Sequence, residues 1–222
     1  MGNDAGRRDE RPAHQVRLNG FRMSRTEITN RQYRVFLEQT GHARPRDPSF
    51  AKRYLMDSPD LPVVNVSYQD ALDFCVWFSR KYGVGARLST EAEWEHAARG
   101  GGTADPLTSK SAKDLAPYRE NGSAGVQTAG KSAFSSNGFG LVWEWVSDFY
   151  SKDYYQIAPL TNPPGPASGS KRVIRGGSWT DDETELWSYR RGSRDPNDRG
   201  DQIGFRIVIE SASREPEARK RK

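Results

Sequence analysis

The chain has 222 residues, a net charge of +5, 34% hydrophobic residues, and 6 Trp, 9 Tyr and 9 Phe. This composition predicts a loop-rich globule with an aromatic core, and the length fits one large or two small domains. The sequence excludes a membrane-spanning helix, because no run of about 18 apolar residues exists. It also excludes a disulfide framework or a multi-cysteine metal site, because Cys75 is the only cysteine.

Charges of both signs are mixed along the chain, which argues against nucleic acid as a partner. The clearest basic excess lies in residues 214–222, so we interpret residues 211–222 as a basic, disordered tail. The first residues hold no apolar segment of the kind that directs secretion. The sequence as written therefore predicts a cytoplasmic protein.

Periodicity and breaker residues predict a single α+β domain over residues 1–210. Residues 16–23 alternate apolar and polar side chains, the pattern of a half-buried strand. Residues 43–62 and 103–137 have no such periodicity and predict irregular segments. From Gly138 onward, aromatic and β-branched clusters separated by Pro and Gly predict strands and turns.

Three helices are predicted between these segments, beginning after Thr29, Ser67 and Thr90, which are N-cap residue types. The first and third have Gln or Glu three residues after the cap, the capping-box spacing. Cys75 lies on the apolar stripe of the second helix, which predicts a buried, structural thiol rather than a catalytic one. That stripe comprises Ala71, Leu72, Cys75, Phe78 and Tyr82.

Five pieces of the sequence, in this order and spacing, resemble one known family. The chain is similar to the formylglycine-generating enzymes, or sulfatase-modifying factors, whose fold is an elaborated C-type-lectin-like one. The resemblance covers nearly the whole chain except about residues 102–137. The pieces are DERPAHQV (9–16) with TEITNRQY (26–33), PVVNVS (62–67), RLSTEAEWEHAARGG (87–101), GLVWEWVSD (140–148), and RVIRGGSW (172–179) with IGFR (203–206).

The resemblance also implies where the catalytic chemistry would be. In the oxidising members, two cysteines after the GGS motif bind copper and oxidise a substrate cysteine, because soft thiolates hold Cu(I). The matching positions here are Asp181 and Leu186. We therefore expect no copper and no activity of that kind. A pyoverdine-maturation branch, which works without the cysteine pair, stays open as an alternative.

Family members also bind structural calcium through the segment that matches 140–148. By resemblance, Glu144 with the backbone carbonyls of Gly140 and Val142 would supply the oxygen ligands. The alternative is that Glu144 pairs with one of the many arginines. The family usually opens with a further strand, so an upstream segment could be missing, and the protein would then be periplasmic or secreted.

Without the cysteine pair, residues 179–202 predict a face for ligand or protein binding, since Trp, Tyr and Arg dominate binding hot spots. The contact candidates lie in this segment, except for the neighbouring Trp145. They are Trp145, Trp179, Thr180, Asp181, Asp182, Trp187, Tyr189, Arg190 and Arg194. An Arg–Asp network that pins the loops is the alternative for Arg191, Asp198, Arg199 and Arg206.

A variable protein of a diversity-generating retroelement uses the same scaffold and is a further alternative. Four residues of the segment disfavour it, because mutation of an Asn codon at its adenines cannot yield them. They are Glu183, Glu185, Trp187 and Gln202.

Overall fold

The computed structural model describes residues 1–102 and 141–210. Within them four α-helices accompany seven short strands in an α+β arrangement. The helices are α1 (Asn30–Thr40), α2 (Tyr54–Asp57), α3 (Tyr68–Tyr82) and α4 (Glu91–Ala98), and the strands are β1 (Arg22–Met23), β2 (Ala86–Leu88), β3 (Trp143–Phe149), β4 (Arg172–Arg175), β5 (Arg191–Arg194), β6 (Ile203–Phe205) and β7 (Ile207–Ile209). The predicted irregular segment over 103–137 and the predicted tail lie outside the described residues.

Two small sheets organise these strands. The first is antiparallel with strand order β1-β7-β2. The second has the order β5-β4-β3-β6, in which β6 runs parallel to β3 and the other pairs are antiparallel. Only Arg206 separates β6 from β7, so the chain passes from one sheet to the other at this buried residue.

The three long helices begin where the sequence predicts. Thr29, Ser67 and Thr90 are the N-caps of α1, α3 and α4, and each forms a reciprocal capping box with the residue three positions on. Gly41 ends α1 at φ 69°, in the left-handed region that glycine reaches without steric cost. Local hydrogen-bonding chemistry thus fixes these boundaries.

The main core lies between α1, α3 and both sheets and is rich in aromatic rings. Phe74 contacts the rings of Tyr33, Phe36 and Phe205 at centroid distances of 5.9, 5.6 and 5.4 Å. Cys75 is buried there, and burial raises the pKa of its thiol to about 12, so it is protonated at neutral pH. A second cluster surrounds the buried Trp94 of α4.

Three local expectations were wrong. Residues 43–62, predicted to be irregular, contain the one-turn helix α2, whose first two residues, Tyr54 and Leu55, are buried. Residues 16–23 form a strand only at β1, with an isolated bridge from Arg17 to Thr161, because most of this stretch has no neighbouring strand to pair with. Tyr82, placed on the buried stripe of α3, is 54% exposed because the helix ends there, beyond the core.

Candidate functional site

The loop between β4 and β5 forms the candidate site, and two glycines turn it back on itself. Gly176 and Gly177 have φ values of 104° and 69°. A Cβ on Gly177 would lie 2.8 Å from Cδ2 of Leu186 and 2.9 Å from the carbonyl oxygen of Glu185. The GG pair therefore packs closely against residues 185–186, and any larger residue at 177 would push the loop apart.

Asp181 is bound to its own loop and to β3. Its Oδ2 accepts hydrogen bonds from the backbone N–H of Ser178 at 2.9 Å, from Ser178 Oγ, and from Trp143 Nε1 at 2.8 Å. The carboxylate thus closes the turn that follows the GGS motif. It presents hard oxygen where the family resemblance places a thiolate.

Leu186 lies on the other side of this loop and is fully buried. It packs with Trp94, Ala98, Val146 and Val173 in the second core cluster. A leucine side chain has no donor atom for a metal, and here it fills the core.

Buried arginines hold the far end of the loop. Arg175, at the end of β4, donates from Nη2 to the carbonyl of Ser188 at 2.8 Å and from Nη1 to the carbonyl of Arg190. Its Nη2 also lies 2.6 Å from Oε2 of Glu95. Both the guanidinium and this carboxylate are buried, so the loop is attached to α4 through a charged, low-dielectric contact.

Arg190 and Arg191 extend this network away from solvent. Arg190 Nη1 donates to Glu10 Oε1 at 2.6 Å, and its Nε and Nη2 donate to the carbonyl of Thr184. Arg191 makes a two-pronged contact with Glu91 at 2.7 and 2.8 Å. Arg190 was predicted to contact a ligand; its side chain is buried against these partners.

Three of the four aromatic candidates, Trp179, Trp187 and Tyr189, lie partly exposed on the same loop, whereas Trp145 lies on β3. Trp187 and Tyr189 are half-buried and stacked, with ring centroids 5.7 Å apart and an interplanar angle of 17°. Trp179 is half-buried against Phe50 at 5.1 Å. Trp145 is fully buried beneath, and its Nε1 donates to the carbonyl of Val66.

The remaining candidates are polar and vary in exposure. Thr180 and Asp181 are half-buried, whereas Asp182 and Arg194 are exposed. The fold therefore places residues 179–182 on one turn. Trp187 and Tyr189 lie at the far end of the same loop. That any of these residues contacts a ligand stays a prediction.

The arginine network exists, but its partners are not those expected from the RDPNDRGDQ stretch. Arg191, Arg199 and Arg206 pair with Glu91, Asp70 and Glu144 respectively, all outside residues 179–202. Asp198 is exposed. Of these partners Glu91 lies in a stretch with its own sequence signal, the EAEWE run of α4, in which all three glutamates are at least nine-tenths buried.

Glu144 pairs with an arginine, one of the two alternatives that the sequence left open, whereas calcium binding there stays a prediction. Its Oε2 accepts from Arg206 Nε at 2.7 Å, and the Trp94 side chain also interacts with the carboxylate, although no hydrogen bond of normal geometry reaches Oε1 in the described part of the chain. Glu27 is also fully buried, and its carboxyl oxygens interact with its own backbone N–H but make no hydrogen bond of normal geometry to another residue within the described ranges. Burial, and then the charge of Glu144, raises the pKa of Glu27 to about 8.

Val142 is buried next to Glu144, whereas Gly140 lies outside the described residues. Across residues 1–102 and 141–210, no group of three or more His, Cys, Asp or Glu side chains is placed to hold a metal ion. A cation at Glu144 would therefore need backbone carbonyls among its ligands, which suits calcium rather than copper.

Two small sheets, a glycine-hinged loop between β4 and β5, and four helices around an aromatic core define an elaborated C-type-lectin-like domain. Residues 1–211 match the family described as "Sulfatase-modifying factor enzyme 1-like domain", and the chain belongs to that family.

The relatives include formylglycine-generating enzymes and a much longer protein kinase. The chain is 31% identical over 260 residues to the formylglycine-generating enzyme of Streptomyces coelicolor, covering 90% of this chain and 81% of the relative. It is 33% identical over 229 residues to the serine/threonine-protein kinase pkn1 of Chlamydia pneumoniae, covering 93% of this chain but 36% of the relative.

Two solved structures are similar over most of their length. PvdO from Pseudomonas aeruginosa has a TM-score of 0.79 and 28% identity, covering 95% of this chain and 90% of that one. Treponema denticola variable protein 1 also has a TM-score of 0.79, with 26% identity, covering 94% of this chain and 90% of that one. No helix of the described ranges is long and apolar enough to cross a membrane.

Proposed function

We propose that this domain binds a protein or small-molecule ligand through residues 179–202, called the ligand face below, and does not oxidise a substrate through thiolate-bound copper. The observation that carries the proposal is the anchoring of the loop. Buried guanidinium groups fix its backbone while Trp179, Trp187 and Tyr189 stay partly exposed. Aromatic side chains on a rigid loop bind with little loss of conformational entropy.

The chemistry at positions 181 and 186 supports the non-thiolate part of the proposal. Cu(I) prefers soft sulfur ligands. Asp181 offers oxygen that already accepts hydrogen bonds from Ser178 and Trp143, and Leu186 belongs to the core. The one thiol, Cys75, is buried on α3 and protonated at neutral pH.

A direct test uses variants of the ligand face. Purified protein is screened on arrays of glycans and peptides, and the dissociation constant of each bound probe is then measured for Trp187→Ala and Tyr189→Ala. We expect at least about tenfold weaker binding, the size of a hot-spot loss. Ile157→Ala, at a site 79% exposed elsewhere, is the control and should bind as the wild type does. Unchanged affinity in both face variants would contradict the proposal.

An oxidative enzyme that works without the cysteine pair is the second candidate. Its support is the likeness to PvdO over 95% of the chain. The likeness to Treponema denticola variable protein 1 supports instead the use of this scaffold for a variable binding surface. A redox metal bound in stoichiometric amount would favour the enzyme over either binding role.

We further propose that calcium, not copper, is the metal of this domain, bound at Glu144. The support is that the carboxyl groups of Glu144 and Glu27 are fully buried and interact with each other, with Arg206 as the cation paired with Glu144 in the described residues. Calcium accepts such mixed carboxylate and carbonyl oxygen ligands and would favour the ionised form of both carboxyl groups, whose pKa values burial raises.

Elemental analysis tests both metal statements at once. We expect about one calcium per chain in the wild type, a loss of calcium in Glu144→Gln, and no stoichiometric copper, iron or manganese. Glu38→Gln, on the exposed end of α1, is the control and should retain calcium. Stoichiometric copper would overturn the non-thiolate proposal, and calcium retained in Glu144→Gln would remove the assignment to this residue.

A further inference from the structure

A groove lies between the end of α1 and the outer face of α3, outside the ligand face. It is open to solvent and has a volume of about 580 Å³. Its apolar surface comes mainly from Trp77 and Val76, because Phe36 beneath them is only 1% exposed; Val76 is 48% exposed although it is a β-branched apolar residue. A groove of this volume has room for a small molecule.

One wall of the groove is fixed by local hydrogen bonds. His42 follows the helix-ending Gly41, its ring lies 4.9 Å from that of Phe36, and its backbone N–H donates to Thr40 Oγ1. Its Nδ1 lies 3.1 Å from the carbonyl of Ala43 and its Nε2 lies 3.3 Å from Asp73 Oδ2. The groove is therefore formed without a ligand.

The charges of the groove are not balanced. Asp73 is already contacted by His42 and by Gln69 Nε2 at 2.8 Å. Arg80 and Lys81 are exposed, and neither forms an ion pair within the described ranges 1–102 and 141–210. Lys81 instead lies 5.0 Å from the Trp77 ring centroid and donates to Gln39. An aromatic floor thus adjoins two cations that lack a carboxylate.

We propose that this groove binds a small aromatic carboxylate, with the ring against Trp77 and Val76 and the carboxylate at Arg80 and Lys81. The ring would bury apolar surface that is now in water. The carboxylate would supply the negative charge that the rim lacks. A cationic or neutral ring of the same size would gain only the first contribution.

Three probes with one ring system test the charge preference: indoleacetate, indoleacetamide and tryptamine. Each is titrated into ¹⁵N-labelled protein and followed by NMR at the amides of Gly41 and His42 and the indole N–H of Trp77. We expect indoleacetate to shift these signals and to bind about fivefold more tightly than indoleacetamide, the effect of one partly exposed charge contact. Tryptamine should bind most weakly.

Variants locate the contact. Arg80→Gln should lower the affinity for indoleacetate towards that for indoleacetamide, because Lys81 remains. Lys52→Gln, an exposed lysine outside the groove lining, removes the same net charge and should change nothing. Equal affinity for the three probes, or no effect of Arg80→Gln, overturns the proposal. So do shifts of the same signals with protein concentration alone, which would indicate a second copy in the groove.

Discussion

Arg175→Met is expected to lower the free energy of unfolding by about 3–5 kcal/mol, because it removes one partner of a buried ionic network. The substitution removes the guanidinium that donates to the carbonyls of Ser188 and Arg190. It also removes the positive charge that is paired with Glu95. Equilibrium urea unfolding measures the loss. Arg194→Met, on the exposed end of the adjacent strand, is the matched control and should stay within about 0.5 kcal/mol of the wild type.

A milder variant separates loop anchoring from global stability. Arg175→Lys keeps a positive charge for Glu95 but has no planar fork to bind both carbonyls. Hydrogen exchange at the amides of 186–190 should therefore accelerate in Arg175→Lys more than exchange in α1. Unchanged exchange at 186–190 would show that the guanidinium does not hold the loop, and would weaken the case for a rigid ligand face.

The elements that the sequence predicts correctly are those with short-range causes. The caps at Thr29, Ser67 and Thr90 and the stop at Gly41 depend on residues three or four positions apart, so the sequence alone specifies them. The alternation in 16–23 is also local, yet a strand needs a partner. In the described residues this stretch pairs with β7 at two positions and forms one isolated bridge from Arg17 to Thr161.

The candidate site is less predictable because its contacts join distant parts of the chain. Arg190 has the residue type of a binding hot spot, but Glu10, 180 positions earlier, buries it. Glu91 and Arg191 are 100 positions apart. Neither periodicity nor motif spacing in the sequence indicates ion pairs between residues so far apart. The three buried glutamates of α4 were a signal in principle, since carboxylates on a buried helix need cationic partners.

Asp148 illustrates how such burial becomes measurable in solution. It lies on β3, is 2% exposed, and its Oδ2 accepts from the N–H of Glu91, the first residue of α4, at 2.8 Å and from Ser147 Oγ at 3.1 Å. Burial, and then the charge of Glu91, raises its pKa to about 7, although Arg191 acts in the opposite direction. In the unfolded chain an aspartate titrates near 3.9.

This shift predicts that Asp148→Asn becomes more stable relative to the wild type as the pH rises. Between the two pKa values the folded state keeps a proton that the unfolded state has lost, so stability from this group falls by about 1.4 kcal/mol per pH unit. The loss begins above about pH 4 and is complete just above pH 7. Asparagine keeps the oxygen that accepts from Glu91 and cannot ionise.

We therefore expect the difference in unfolding free energy between Asp148→Asn and the wild type to move in favour of the variant by about 2–4 kcal/mol from pH 4 to pH 8. Urea unfolding at several pH values measures it. Asp60→Asn, an exposed aspartate paired with Arg31, is the control and should show no comparable trend. A difference that does not change with pH would mean that Asp148 is ionised in the folded protein, and that Arg191 outweighs burial at the junction of β3 and α4.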